Sequence, residues 1–225
     1  MVISVIIPAL NEERYIGKTL NHLSTLKGNF EIIVVDGGSK DSTCELVNQY
    51  PAVKVFSSEK GRAAQMNTGA LNSQGEILLF LHADTILPQD AYMCIVAHFY
   101  NPHHIGGSFI LKLDKKHFLL QLYSWCSRWS AEFFTYGDHA IFMKKEVFVK
   151  IGGYKQLPFM EDVEIQKRLR KVGKFKKLKC AVLSSARRFE KVGVIKQFFM
   201  DVLLIFFYKT GVPLYRLKQF YKDHC

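Results

Sequence analysis

The chain has 225 residues, 48% of them hydrophobic and 23% charged, enough for one sizeable core and ordinary for a soluble globular protein. Its formal net charge of +11 favours polyanionic partners such as nucleotides, acidic membrane surfaces or nucleic acid, and says nothing about the fold. The five cysteines (Cys44, Cys94, Cys126, Cys180, Cys225) are widely spread with no C-x-x-C pair, which excludes a zinc site of the usual spacing and a disulfide framework and points to a reducing, cytosolic compartment.

The opening "MVISVIIPALNEE" has no basic leader, and its apolar run is cut by Pro8 and followed by charge, so it reads as a first strand and not a signal peptide. Apolar β-branched runs then alternate with amphipathic stretches: "ISVIIPA", "RYIGKTLNHLSTL", "EIIVVDGG", "STCELVNQY", "VKVFSS", "AAQMNTGALNS", "EILLFLHAD". Short continuous apolar strands alternating with helices imply βαβ units, an α/β fold with a mostly parallel sheet covered on both faces. In such sheets ligands sit beyond the carboxyl ends of the strands. There the sequence places Pro8, Ala9 and Glu12, then Asp36 and Gly38, then His82, Ala83 and Asp84. Two structural explanations compete: Asp36 nucleates an Asx turn, and Asp84 caps a helix beginning near Pro88.

Downstream, "GGSFILKLD" alternates like a strand, and "FLLQLYSWCSRWSAEFF" reads as a long aromatic-rich helix. "DHAIFMKKEVFVKIGGY" reads as a strand and a short helix closed by Gly152-Gly153. In "PFMEDVEIQKRLRKVG", Glu161 and Asp162 occupy the first turn of a helix with basic residues later, a placement the helix dipole would itself favour. The basic run "KRLRKVGKFKKLK" holds only Phe175 as an aromatic, so a solvated helix end and edge strand explain it better than a nucleic-acid platform. The tail, residues 191–225, is expected to be helical and amphipathic. Its apolar run from Val202 to Tyr208 is far short of the roughly 20 residues a spanning helix needs. A lysine-flanked apolar surface suits a peripheral membrane contact, and packing on the core or on a second subunit as a homodimer suits it equally.

A nucleoside diphosphate would satisfy the positive net charge and the polar strand ends together. Neither G-x-G-x-x-G after the first strand nor a P-loop is present, so its phosphates call for a hard divalent cation, Mn2+ or Mg2+, held by oxygen. Asp84, at a strand end, is the natural ligand.

The segments "SVIIPALNEERYIGKTLNHL", "EIIVVDGGSKDST", "GRAAQMNTGA", "ILLFLHADT" and "MEDVEIQKRLRKVG" resemble, in order and spacing over roughly residues 1 to 190, the inverting family 2 glycosyltransferases with the GT-A fold. "FLHADT" and "ARRFEKVG" are similar to a small bacterial branch named for arsenosugar biosynthesis. The resemblance implies a GT-A unit at residues 1–190, with residues 191–225 as a C-terminal helical tail. It implies a nucleotide-sugar donor, by family a UDP-sugar, and an acceptor hydroxyl on a lipid-linked or small molecule. By resemblance Pro8, Ala9 and Glu12 line the nucleotide pocket and Asp36 contacts the base beside Gly38. Arg62 and Asn67 face the donor, with Ala83 beside Asp84. Asp84 is the last acid of the D-x-D metal motif, Asp162 the general base with Glu161 at its side, and Arg187 and Arg188 lie near the diphosphate. Two positions depart from the pattern: His82 replaces the first acid of D-x-D, leaving it as a second ligand, a ribose contact or a satisfied histidine, and Phe189 stands where a tryptophan is common. A nucleotidyltransferase normally carries a glycine-rich basic loop after the first strand, where this chain is acidic. A haloacid-dehalogenase phosphatase needs an aspartate at Gly38. A non-catalytic nucleotide-sugar-binding module remains open as a third alternative.

Overall fold

The structure is a computed structural model that describes residues 1–130, 135, 137–214 and 217. Its first half runs β1 (Ile3–Ala9), α1 (Ile16–Thr25), β2 (Phe30–Asp36), α2 (Thr43–Val47), β3 (Val53–Ser57), α3 (Arg62–Leu71), β4 (Ile77–Phe80), the two-residue β5 (Thr85–Ile86) and α4 (Ala91–Phe99). There follow β6 (His104–Leu113), α5 (Phe118–Cys126), a 3-10 turn (Gly137–His139), β7 (Ile141–Lys144), α6 (Lys145–Lys150), α7 (Glu161–Val172), β8 (Lys174–Ser184), α8 (Arg187–Val192) and α9 (Val194–Lys209).

One sheet has the order β3-β2-β1-β4-β7-β6-β8-β5. Its first four strands are mutually parallel, β7 is antiparallel to both β4 and β6, β8 runs parallel to β6, and β5 is antiparallel to β8. Alternate residues of β1 explain the two helical layers. Val5 and Ile7 pack with Leu20 of α1 and Ile95 of α4, while Ile6 packs with Met66 of α3, Phe148 of α6 and Ile165 and Leu169 of α7. A strand buried on both faces has to be apolar throughout, which is why "ISVII" does not alternate. The expected α/β architecture with a mostly parallel sheet and a C-terminal helix is the observed one.

Three local expectations change. Asp84 caps no helix, because β5 follows it and α4 begins only at Ala91. The long aromatic helix ends at Cys126. The Ser127 hydroxyl donates to Ser124 O at 2.6 Å and accepts from Leu111 N of β6 at 3.1 Å, which ties the end of the helix to that strand; the end of the expected helix, residues 131–134, lies outside the described residues. The cysteines are not all reduced: Cys94 of α4 and Cys180 of β8 form a disulfide across 86 positions. Strand β8 does lie at the sheet margin for most of its length, since only Leu183 and Ser184 pair with β5.

Candidate active site

The loops after β1 and β2 are laced together before any ligand arrives. Glu12 N donates to Thr43 Oγ1 at 2.8 Å, Asn11 N to Ser39 Oγ at 2.9 Å, and Lys40 N to Asn11 Oδ1 at 2.8 Å. Beneath them the buried Gln65 of α3 donates through Nε2 to Ala9 O (2.7 Å) and Val35 O (2.9 Å), fixing the ends of β1 and β2 relative to each other. Asp36 accepts from Gly38 N at 2.9 Å and from Ser39 N at 3.1 Å, so it does form the Asx turn. Gly38 adopts φ 91°, a conformation that favours glycine.

Past these strand ends lies a cleft lined by Pro8, Arg62, Met66, Phe80, Leu81, His82, Tyr154, Glu161 and Asp162. Its acidic wall is the first turn of α7, where Glu161 and Asp162 are both buried. Carboxylates there face the positive end of the helix dipole. The Arg62 guanidinium stands 3.3 Å from Glu161. The Asp162 Oδ1 accepts from Val163 N at 2.8 Å.

The turn that leads into α7 is braced. Arg168 ties Glu164 to Gly153 O at 2.8 Å, and Asn67 accepts from Tyr154 N (2.9 Å) and donates to Tyr154 O (2.8 Å). Gly153 has φ 65°, and a Cβ on it would lie 2.7 Å from Asn67 Oδ1. Burial, followed by the negative charges of Asp162 and Glu161, raises the Tyr154 phenol far above its usual range, so it stays protonated.

Beside the cleft, Arg187 at the start of α8 grips two acids. Its Nη1 and Nη2 donate to Glu12 at 2.6 and 2.7 Å, its Nε lies 2.9 Å from Asp84 Oδ2, and its guanidinium sits 4.5 Å over the Tyr15 ring. Burial works against the Arg187 charge, but Glu12 and Asp84 outweigh it and raise its pKa. Asp84 is itself raised by burial and by Glu12, against the pull of Arg187. His82 is held well below its usual value by burial and then by Arg62, Arg187 and Arg188, so it is neutral at physiological pH.

Cleft and corner thus gather Pro8, Glu12, Arg62, His82, Asp84, Glu161, Asp162 and Arg187 from five separate segments. Three expected residues stand behind them. Ala9 is buried in the core, with its carbonyl taken by Gln65 and Gly37 N. Ala83 is buried, its carbonyl accepting from Thr19 Oγ1 at 2.6 Å. Asn67 spends its amide on Tyr154 and serves as a brace. Arg188 turns toward α9, where its Nη2 meets Asp201 at 3.2 Å.

Sequence reasoning missed Asp138. Its Oδ1 is buried without a hydrogen bond, and its pKa is raised to about 6 by burial and by the charge of Asp84, with Arg188 opposing. It sits in a turn with no periodicity, and only the folded neighbourhood marks it. Lys177, close by, is pushed down to about 7 by burial.

A family model described as "Glycosyl transferase family 2" matches residues 4–155. A probable glycosyltransferase, YdaM, of Bacillus subtilis (strain 168) is 27% identical over 197 residues, covering 76% of this chain and 47% of its own. The chain therefore spans about half the length of that relative. The crystal structure of residues 1–349 of TarS from S. aureus is similar with a TM-score of 0.71 at 20% identity, covering 90% of this chain and 66% of that one; the same protein has been solved with UDP-GlcNAc. The mannosyltransferase PcManGT from Pyrobaculum calidifontis, in complex with GDP-Man and Mn2+, gives a TM-score of 0.65 at 20% identity, over 81% of this chain and 56% of that one. At such identities the structural likeness speaks for the fold.

Proposed function

Because the chain belongs to glycosyl transferase family 2, we propose that it moves a sugar from a nucleoside-diphosphate donor to an acceptor hydroxyl with inversion at the anomeric carbon. The observation that carries this reading is a convergence: strand ends β1 and β4, the Arg62 end of α3 and the acid-bearing first turn of α7 line one small cavity. The acid pairs divide the work.

Inversion needs a base on the face of the sugar opposite the leaving diphosphate. Asp162 takes the acceptor proton as the acceptor oxygen bonds to the anomeric carbon and the bond to the diphosphate breaks. Glu161, paired with Arg62, keeps that guanidinium at the cleft. A negative carboxylate also favours the oxocarbenium-like transition state. The diphosphate is assigned to the corner of Glu12, Asp84 and Arg187, and the base to the loop of Asp36 and Gly38. A UDP-sugar is the donor we favour, supported by the UDP-GlcNAc complex of TarS.

A divalent cation, Mn2+ or Mg2+, fits Asp84: this buried carboxylate already holds one cationic partner, and the unbonded Oδ1 of Asp138 lies within its electrostatic reach. When bound, such an ion stabilises the departing diphosphate as a Lewis acid. His82, a neutral nitrogen donor, is the weaker match for a hard cation and is assigned to the donor pocket wall. An arsenosugar acceptor belongs to the narrower branch resemblance alone.

The test is Asp162→Asn, assayed for transfer and, by calorimetry, for donor affinity. Transfer should fall by at least about a thousandfold while donor affinity stays within a few-fold. Near-normal turnover would remove Asp162 from the role of base.

A further inference from the structure

Two helices far apart in the chain turn the same pattern to solvent. On α5 the exposed apolar residues are Phe118, Leu122 and Trp125, and the series continues to Trp129 in the turn that follows; on α9 they are Ile195, Phe199, Val202 and Phe206. Both series are spaced by four, three and four positions, the spacing of a single helical face. Each helix already buries its other face. Leu120 and Tyr123 of α5 pack with Phe189 and Val194, and Gln197 and Leu204 of α9 are buried. The two helices touch each other as well as α8. The exposed stripes are thus surplus to the core, and Phe118 at 75% and Phe199 at 65% exposure are costly to leave in water.

The charges around the stripes are mostly basic; the exposed Glu190, which pairs with Lys115 at 2.9 Å, is an acid beside them. Exposed Lys115, Lys116 and Arg128 flank α5, and exposed Lys191, Lys196 and Lys209 lie on or beside α9. Residues 115–130 contain no acid, and residues 191–214 contain only Asp201, which is turned inward to Arg188 and Gln197. Among the described residues no helix is long and apolar enough to cross a membrane.

We propose that the paired stripes of α5 and α9 are a docking surface for an anionic lipid bilayer, on which the protein lies peripherally with its aromatic residues in the headgroup boundary and its lysines on the acidic lipids. Bulky apolar side chains, a tryptophan pair and a basic rim are the combination that holds a helix in that interface. The overall charge of +11 adds long-range attraction of the same sign. A second copy of this chain would bring Lys116, Arg128, Lys191, Lys196 and Lys209 against themselves, which disfavours a symmetric dimer through this face. The surface is coupled to the cleft by one ion pair, since Asp201 of α9 holds Arg188, next to Arg187. The docking does not depend on the proposed reaction.

The chain reports on the contact directly. Its only two tryptophans are Trp125 and Trp129, both in the patch and each about half exposed. The full chain is mixed with vesicles of phosphatidylglycerol and phosphatidylcholine, or of phosphatidylcholine alone, and followed by tryptophan emission and co-sedimentation. The expected result is a blue shift and sedimentation with the anionic vesicles, release at high salt, and little of either with neutral vesicles. Lys191→Glu with Lys196→Glu should weaken partitioning at least tenfold, and Phe199→Ser with Phe206→Ser should abolish the sedimentation while circular dichroism and melting stay those of the parent. Failure to bind anionic vesicles overturns the proposal, as does a stable dimer by light scattering whose dissociation on the Phe199→Ser and Phe206→Ser changes accounts for the tryptophan shift.

Discussion

Asp138 is a residue at which the candidate site works against the fold. Its carboxyl is raised from an ordinary value near 3.8 to about 6, first by burial and then by Asp84, with Arg188 offsetting part of the effect. Well below pH 3.8 the group is protonated folded or unfolded, and its environment makes no difference. Between about 4 and 6 the unfolded chain releases the proton while the folded chain keeps it, so stability falls as pH rises through that window and stays lower above it. A shift of this size corresponds to roughly 3 kcal/mol at most, less because the side chain is 28% exposed. Asp138→Asn removes the ionisation and keeps the size. In metal-free buffer it should stabilise the protein by about 1–2 kcal/mol at pH 8 and leave it unchanged near pH 3, read from urea midpoints at the two pH values. A difference independent of pH would mean the gain comes from packing. That such a residue persists at the edge of the cleft agrees with a functional use for its unbonded oxygen.

Among the elements, β6 is flanked on both sides, by an antiparallel partner in β7 and a parallel one in β8. The pairing with β8 shifts register between His104 and Gly106 and between Ser108 and Ile110. At the centre of that passage a Cβ on Gly107 would stand 2.2 Å from Lys176 O and 2.8 Å from the Phe142 ring. The obstacle on one side is backbone, which cannot step aside as a flexible side chain would. Gly107→Ala should therefore cost at least about 2 kcal/mol, seen as a lower urea midpoint with an unchanged slope; a midpoint within error of the parent would show that β8 can part from β6 freely.

The elements also mark what the sequence could convey. Continuous apolar runs announce β1, β2 and β4, and with them the positions of Asp36 and Asp84, because a strand buried on both faces has no other composition available. The acids at the start of α7 were equally visible. Strand β5 was not: two residues carry no pattern, and it exists because Thr85 and Ser184 meet across 99 positions. Helix α5 stops at Cys126, short of its apolar pattern, where Ser127 meets Leu111 N of a strand that the local sequence does not reveal. Only the family resemblance points to Arg187 in the sequence, and its bidentate hold on Glu12, 175 positions away, is a product of the fold.

At the scale of the whole molecule, a covalent link that the cysteine spacing does not suggest ties the two halves of the chain together. The Cys94–Cys180 bond joins α4, on one face of the sheet, to β8 at the sheet margin, and closes a loop of 86 positions. The partly buried sulfurs lie at the edge of the core that holds Val5, Leu79 and Phe142, where Leu178 also packs. Closing a loop of that length removes unfolded-chain entropy worth about 4.6 kcal/mol at 25 °C on the chain-entropy account, and measured values for native disulfides run at about 2–5 kcal/mol. Cys44 and Cys126 remain as free thiols among the described residues, so the bond is followed by mapping alkylation to the peptides that carry Cys94 and Cys180. Cys94→Ser should lower stability by about 2–4 kcal/mol under oxidising conditions, and the variant should be insensitive to added reductant. The parent chain should fall to the stability of the variant when reduced. Packing of α4 against β8 and β6 persists without the bond, so the reduced chain should keep its fold and its far-ultraviolet spectrum at low temperature. Equal midpoints for the parent with and without reductant, with both thiols alkylated in the native state, would show that the pair lies together without being joined.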